Sequence, residues 1–205
     1  MSTLLKVKIT LLEEMLGTAP PDAEVYKAYI ASKAPDAATV EDEVESLGVE
    51  ATADSKMTIF HRDAEGRPYL YDYQIRGFFK ESCGMLRMVP KKKSATLKAY
   101  KKVIDGLIQV DERRIPVEMA GEIGNCQRTL RAETMQGPRT ALASSETVPE
   151  GSTMTFTVRC LNPDHAKYVR EWLDYGKYHG LGQWRNSGKG KFSWELLEET
   201  EEEDD

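Results

Sequence analysis

Glycine and cationic side chains are concentrated between residues 176 and 190. Five of the fifteen glycines of the chain fall within these fifteen positions. Glycine permits positive φ and a close approach of the backbone to a ligand, so the N–H groups of such a loop can face phosphate oxygens. Trp184 and Tyr178 offer aromatic faces on which bases stack. The polar and charged side chains here include Arg185, Asn186, Ser187 and Lys189, and Lys191 follows directly. The composition predicts a loop that binds a phosphate-bearing ligand, with RNA as the leading candidate.

The same loop also fits a purely structural interpretation, in which a glycine-rich connection places Trp184 in the core and binds nothing. Two common phosphate motifs are excluded, because the sequence has no GxxxxGK[ST] after a strand and no GxGxxG opening a helix. The loop instead follows a predicted helix. Composition alone leaves the binding and the structural interpretation open.

Catalysis has weaker support in the sequence. His179 lies inside the loop beside cations, where an imidazole can transfer protons near neutral pH. A loop histidine without a visible partner is more often a binding or surface residue, so we assign no catalytic residue and keep His179 as a weak candidate. His165 and His61 are expected to be structural. No Ser-His-Asp or Cys-His motif is present.

The cysteines and carboxylates predict neither a metal site nor a cofactor. Cys83, Cys126 and Cys160 are odd in number and form no C-x-x-C pair, so we expect buried or half-buried free thiols. The acidic residues cluster in runs that are typical of solvated surface. No apolar run approaches the roughly 20 residues of a membrane helix, and the first residues lack the pattern of a signal peptide. We therefore expect a cytoplasmic protein without a membrane contact.

The net charge of −6 conceals a strong asymmetry along the chain. Residues 12–54 carry 2 basic and 11 acidic side chains, and residues 195–205 carry 8 acids and no base. Residues 56–140 between them carry 17 basic and 10 acidic side chains. An acidic protein is ordinarily a poor candidate for nucleic-acid binding. The objection is weaker here because the acids are confined to two segments.

Period-two alternation predicts a first strand, in which Leu5, Val7, Ile9 and Leu11 face the core. An acidic helical insertion is predicted at residues 19–50, with Asp22 as an N-cap and a second short helix over residues 39–47. We interpret it as a solvated lid or spacer. The acidic residues from 198 to 205 are too poor in apolar groups to pack, which predicts a disordered tail after a single domain over residues 1–197.

Helical periodicity over residues 71–87 predicts the first main helix. Its apolar face is formed by Ile75, Phe78, Phe79, Ser82, Met85 and Leu86. A separate stripe, expected to be exposed and basic, is formed by Arg76, Lys80, Cys83 and Arg87. Gly77 and Gly84 each cost about 1 kcal/mol in a helix interior, which weakly suggests that something approaches the helix closely.

The remaining elements complete the fold prediction. Short strands are expected at residues 107–110, 113–117, 128–133 and 141–148, and a clearly alternating strand at 153–160. Asn162 and Pro163 then begin a helix that ends at Gly176. Phe192, Trp194 and Leu196 alternate in the last strand. The predicted fold is α+β, with a β-α-β-β-α-β core of the ferredoxin-like or RRM-like kind, insertions, and the C-terminal glycine-rich loop.

The string GLGQWRNSGKGKF resembles the C-terminal glycine-rich loop of the RAMP superfamily, whose members form backbone and RNA-processing subunits of CRISPR effector complexes. The segment LYDYQIRGFFKESCGMLR is similar to their basic first helix, KVKITLLEEMLG to their opening strand, and SSETVPEGSTMTFTV to the strand turn before their second helix. The likeness covers most of residues 4–197. Solitary proteins of tailed phages and prophages, of unassigned function, are also similar. This chain departs from the pattern at Tyr71, Asp72 and Tyr73, where the family has small residues.

The resemblance implies a phage-encoded, non-catalytic RNA-binding protein in a bacterial cytoplasm. The expected nucleic-acid-binding residues are Arg76, Lys80, Arg87, Gly180, Gly182, Trp184, Arg185, Asn186, Ser187, Gly188, Lys189 and Gly190. Three alternatives stay open: a subunit mimic that blocks a host CRISPR complex, a protein that sequesters signalling nucleotides, and, less favoured, a metal-independent RNA endonuclease. Family members stack side by side along RNA, so homo-oligomers are a further expectation.

Overall fold

The computed structural model describes residues 1–19, 57–134 and 137–202, which form two compact units. The larger unit comprises residues 1–15, 61–122 and 148–202, and the smaller one comprises the described residues of 16–60 and 123–147. From residue 20 onward, the predicted acidic insertion at 19–50 lies outside the described residues. The candidate loop belongs entirely to the larger unit.

A four-stranded antiparallel sheet organises the larger unit. Its strands are β1 (Ser2–Leu11), β6 (Ile108–Val110), β10 (Thr153–Cys160) and β11 (Phe192–Glu202), in the order β11-β1-β10-β6. The alternation predicted from the sequence is confirmed in the two central strands. Their buried side chains are Leu5, Val7, Ile9 and Leu11 of β1 and Met154, Phe156, Val158 and Cys160 of β10.

Two helices bury their apolar faces in the core of this unit. They are α1 (Asp72–Leu86) and α3 (Ala166–Asp174), and the rings of Phe79 and Trp172 meet between them at 5.5 Å. Short 3₁₀ turns at 163–165 and 175–177 flank α3. The predicted start is confirmed, because Asn162 Oδ1 accepts the Asp164 N–H at 3.0 Å with Pro163 in the first turn.

The core elements follow the predicted order along the chain: β1, α1, β6, β10, α3 and β11. This is a mixed α+β arrangement with the β-α-β-β-α-β plan. A 3₁₀ turn at 93–96 and α2 (Tyr100–Leu107) connect α1 to β6. A small antiparallel sheet of β4 (His61–Arg62), β5 (Pro68–Tyr71) and β7 (Arg114–Pro116) accompanies the core.

The smaller unit is built on a long antiparallel pair, β8 (Gly124–Thr134) and β9 (Gly137–Val148). The short strand β3 (Met57–Thr58) pairs with β9 in parallel, and β2 (Met15–Leu16) also pairs with β9. The sequence predicted strands at 128–133 and 141–148 but not their pairing, because period-two patterns do not specify a partner strand.

Two side chains of α1 differ from the prediction. Met85, expected in the core, is 49% exposed, and Cys83, expected on the exposed basic stripe, is fully buried. The 3₁₀ turn at 93–96 explains the burial of Cys83, because this turn packs beside α1 and α3 and covers that side of the helix. A helix covered by several elements buries a wider face than a single apolar stripe predicts.

The last strand also differs from its prediction. β11 continues through Glu202, into the segment expected to be a disordered tail from residue 198, and Glu198 to Glu202 pair with β1. Of the three residues expected to alternate inward, Phe192 is buried, Trp194 is half-buried and Leu196 is 39% exposed. The three residues pair with Leu11, Ile9 and Val7 and so share the inward face, and the register shifts only beyond them, between Lys6 and Val7. The exposure of Trp194 and Leu196 reflects the place of β11 at the edge of the sheet, where fewer elements cover that face.

Candidate functional site

The glycine-rich loop connects the helical turn ending at Lys177 to β11. Several of its glycines are required by packing within the protein. A Cβ atom at Gly180 would overlap the carbonyl of Gly190, and one at Gly190 would overlap the carbonyl oxygen of Leu181. The Leu181 N–H donates to Gly190 O at 2.9 Å, which holds the two sides of the loop together. At these positions glycine allows the backbone to approach itself, so its presence alone is not evidence of a ligand.

The tip of the loop has an unusual backbone and is open to solvent. Trp184 has φ 56°, in the left-handed region, and it precedes a single 3₁₀ turn, Arg185–Ser187, that ends at Gly188 with φ 86°. Trp184, Asn186 and Ser187 are exposed. A left-handed tryptophan costs roughly 1–2 kcal/mol. Because strain of this kind clusters at binding sites, the tip supports the ligand-binding interpretation over a tryptophan placed in the core.

The cations of the loop are held by two separate carboxylates. Arg185 donates from Nη1 to Glu81 Oε2 on α1, and Lys189 Nζ lies 2.6 Å from Glu14 Oε1 just after β1. Both pairs are partly exposed, with side-chain accessibilities of 31% for Arg185 and 23% for Lys189. The charges of Arg185 and Lys189 are therefore neutralised where these side chains rest.

Glu81 is a residue to which the sequence did not point. Besides Arg185, its Oε2 atom lies 2.8 Å from His179 Nε2. Partial burial alone would raise the pKa of Glu81, but the hydrogen bonds from His179 and Arg185 outweigh it, so the pKa lies below its usual value. No sequence signal distinguishes Glu81, because its position is simply one exposed site on a helix.

His179 is packed as well as paired. Its ring stacks near Phe78 at 6.4 Å and near Tyr175 at 5.9 Å between centroids, and its side chain is 22% exposed. A histidine hydrogen-bonded to a carboxylate and stacked between aromatic rings is positioned as a bridge between α1 and the loop. Tyr178, the neighbouring stacking candidate, is 66% exposed.

The basic stripe of α1 does not form a continuous free surface. Arg76 pairs with Asp72 at 2.9 Å, and Lys80 pairs with Asp105 of α2 at 2.5 Å. Arg87 lies over the ring of Tyr100 at 5.0 Å. Gly84 fits this packing, since a Cβ there would meet Tyr100 Oη at 3.3 Å.

The open side of the main sheet is also charge-balanced. Arg159 pairs with Asp111 at 2.9 Å and with Glu202 at 2.5 Å, and Lys8 lies 3.7 Å from Glu195. The acids of β11 provide two of these partners, which explains why an acidic C-terminal strand accompanies a sheet with basic residues.

The other two histidines and the three cysteines belong to elements other than the glycine-rich loop. His61 in β4 packs against Tyr69 and Tyr71, and His165 is buried in the turn before α3, where burial lowers its pKa. The cysteines are free thiols as predicted, with two buried and Cys126 half-buried. Within the described ranges no three His, Cys, Asp or Glu residues gather as metal ligands, and none of the helices found there is long and apolar enough to span a membrane.

A second basic region was not singled out from the sequence. Residues 82–104, which run from the last turn of α1 into α2, contain seven cations and no acid. They are Arg87, Lys91, Lys92, Lys93, Lys98, Lys101 and Lys102. The signal was available as a local charge count, but it was hidden in the wider block of residues 56–140.

Comparison with known proteins identifies a fold relative. No protein-family model matches the sequence, and no curated protein matches it. Among solved structures, a chain of the Type III-B Cmr-beta bound to cognate target RNA is similar, with a TM-score of 0.52 and 11% sequence identity. The likeness covers 97% of this chain and 60% of that chain. At this identity it shows a shared fold, consistent with the predicted RAMP-like arrangement.

Proposed function

We propose that this protein is a RAMP-like RNA-binding protein that does not cleave its ligand. The observation that carries the proposal is the fold likeness over 97% of this chain to one chain of a Cmr-beta structure that was solved with target RNA bound. A fold alone does not specify a function. The proposal therefore also rests on surfaces of this chain that suit a phosphate chain and bases.

The glycine-rich loop is the first such surface. Its exposed tip presents Trp184 for stacking and Asn186 and Ser187 for hydrogen bonding, which is the combination that single-stranded nucleic acids require. The tip turn fixes these groups on a short rigid segment between Trp184 and Gly188. In this proposal the packing glycines shape the loop, while the tip side chains contact the ligand.

The ion pairs of Arg185 and Lys189 are compatible with this role. Exposed ion pairs are worth only about 0.2–1 kcal/mol, so a phosphate can replace a carboxylate partner at small cost. Arginine also binds phosphate in a bidentate manner. Glu81 and Glu14 then serve as resting partners that hold the cations in place until RNA arrives.

Filter binding with a single-stranded RNA at several salt concentrations tests the proposal. We expect binding that weakens with salt, because phosphate contacts release counterions. Arg185→Ala with Lys189→Ala should weaken binding. It should also reduce the slope of log affinity against log salt concentration by about 1.4, at about 0.7 for each of the two lost phosphate contacts. A matched control is Lys6→Ala with Arg67→Ala, which removes one lysine and one arginine from exposed positions outside the loop. Wild-type protein that binds no RNA at low salt contradicts the function, and an unaffected double variant contradicts the role of the loop.

The absence of cleavage is tested separately by incubating the same RNA with excess protein. We expect intact RNA. Products that form with wild-type protein and are lost in His179→Ala would instead support the endonuclease alternative. Proton transfer by His179 would then use Glu81 as its partner, at 2.8 Å.

A second candidate is a subunit mimic, and it is favoured by the same fold likeness to a chain of a Cmr-beta structure. Pull-down from cells that contain such a complex distinguishes the two, because a mimic recovers protein subunits whereas an RNA-binding protein recovers RNA. Calorimetry with cyclic oligonucleotides beside single-stranded RNA tests the remaining alternative, a protein that sequesters signalling nucleotides.

A further inference from the structure

The basic segment, residues 82–104, runs from the last turn of α1 into α2 and contains no acidic residue. Its seven cations are all exposed, and none of them forms an ion pair with a carboxylate among the described residues. By contrast, Arg185 and Lys189 of the glycine-rich loop have acidic partners, as do Arg76 and Lys80 of α1. Glu171 of α3 is a nearby carboxylate whose charge interacts with Lys92, but the seven cations outnumber it. An excess of like charge attracts a polyanion and concentrates it locally.

Part of this segment lines a cleft of about 450 Å³. Its walls are Lys91, Lys92, Lys93, Ala95, Thr96, Lys167 and Tyr168. The first three lysines come from the segment and Lys167 from α3, so two elements converge on one concave surface. Lys167 lies over the ring of Tyr168 at 5.2 Å, which orients its ammonium group.

The lysine segment is anchored by a clamp on α3. Glu171 accepts the backbone N–H groups of Lys93 and Ser94, each at 2.8 Å, and the Ser94 hydroxyl at 2.5 Å. The buried Trp172 then donates its indole N–H to Ser94 Oγ at 3.0 Å. These bonds fix the backbone while the lysine side chains stay in solvent.

The backbone entering the clamp is strained. Lys91 has φ 69°, in the left-handed region that favours glycine. A lysine there costs about 1 kcal/mol or more relative to ordinary conformations. The clamp holds three consecutive lysines at the edge of the cleft despite this strain. Such pre-organisation favours ligand binding, and a run of charges that is only solvated does not need it.

We propose that this cleft binds the phosphodiester backbone of single-stranded RNA. The inference rests on the proposed function and assigns a further site to it. Lysine ammonium groups bind phosphates as point charges without base preference. The cleft therefore supplies sequence-independent affinity, whereas the loop tip supplies stacking and hydrogen bonds.

The experiment compares three full-length proteins by fluorescence anisotropy with a single-stranded RNA of roughly 16 nucleotides. The cleft variant carries Lys92→Ala, Lys93→Ala and Lys167→Ala. The control carries Lys98→Ala, Lys101→Ala and Lys102→Ala, which removes the same charge from the same region outside the cleft. We expect the cleft variant to bind at least tenfold more weakly with a salt slope smaller by about 2, from 0.7 per lost contact. The control should stay within about threefold of wild type.

The outcomes separate this inference from the proposed function. If the wild-type protein binds no RNA, both the cleft and the proposed function are contradicted. RNA binding that is unchanged in the cleft variant overturns the cleft and leaves the proposed function intact. Equal losses in the cleft variant and the control assign the effect to net charge and also overturn the cleft. Inorganic tripolyphosphate should compete with RNA, whereas equal competition by polyglutamate would indicate an acidic protein as the occupant and overturn the assignment.

Discussion

The Nε2 atom of His179 lies 2.8 Å from Glu81 Oε2, which joins the C-terminal loop to the first helix. The same carboxylate oxygen accepts the guanidinium of Arg185. Glu81 of α1 thus contacts both His179 and Arg185, which lie on either side of the exposed Trp184 in the loop. If the loop binds RNA, Glu81 sets how readily Arg185 becomes available.

Removing the charge of Glu81 is therefore expected to strengthen RNA binding. Glu81→Gln keeps the size of the side chain but removes the charge that competes with phosphate. We expect RNA affinity to rise by roughly 1.5- to 5-fold, the equivalent of one exposed ion pair. Anisotropy titration measures the change, and Glu65→Gln serves as a control at another exposed carboxylate. Weaker binding would mean that Glu81 is needed to position Arg185.

The carboxylate of the α3 clamp predicts acid sensitivity. Burial would raise the pKa of Glu171, but hydrogen bonds from Ser94 and Lys93 hold it below its usual value of 4.5. A carboxyl with a lowered folded-state pKa contributes stability above its unfolded pKa and loses it as the pH falls through the folded pKa. We expect urea unfolding to show stability falling below about pH 4.5. Glu171→Gln should be less stable at pH 7 and less dependent on pH, and an identical pH profile would contradict this.

Two glycine substitutions should have opposite effects. Gly190 has φ 70°, and a Cβ there would overlap Leu181 O, so Gly190→Ala should destabilise the protein by about 1–3 kcal/mol. Gly77 lies in α1, and no atom outside its own helix turn comes within 4 Å of the position that a Cβ would take, so Gly77→Ala should add about 1 kcal/mol. Urea unfolding measures both. A neutral Gly190→Ala would show that the loop closes differently.

Thiol reactivity should separate the three cysteines. Burial raises the pKa of Cys160 to about 12 and also raises that of Cys83. Cys126 is half-buried. Because the thiolate is the reactive form, native protein treated with iodoacetamide should be modified first at Cys126, as read by peptide mass spectrometry. All three should react in urea, and early modification of Cys160 would contradict its burial.

Period-two patterns made the central strands predictable, because the apolar residues from Leu5 to Leu11 and from Met154 to Cys160 alternate with polar ones. The cap at Asn162 was also predictable from the sequence, because a cap depends only on neighbouring residues. The acidic partners of the site cations were not predictable. Glu81, Glu14 and Asp105 meet their cations only after the chain folds, and nothing in their neighbours indicates which charge they will face. The loop was found from its glycines, although Gly180 and Gly190 are required mainly by packing.

The pairing of β1 has a consequence for how the chain acquires its structure. Its two neighbours, β10 and β11, are made only from residue 153 onward, and Ser2 pairs with Glu202. The apolar residues of β1 must wait for most of the polypeptide to be synthesised before they gain hydrogen-bonded partners. Such long sequence separation slows folding. Until β10 and β11 are available, the apolar strand β1 is unpaired and can associate with other nascent chains.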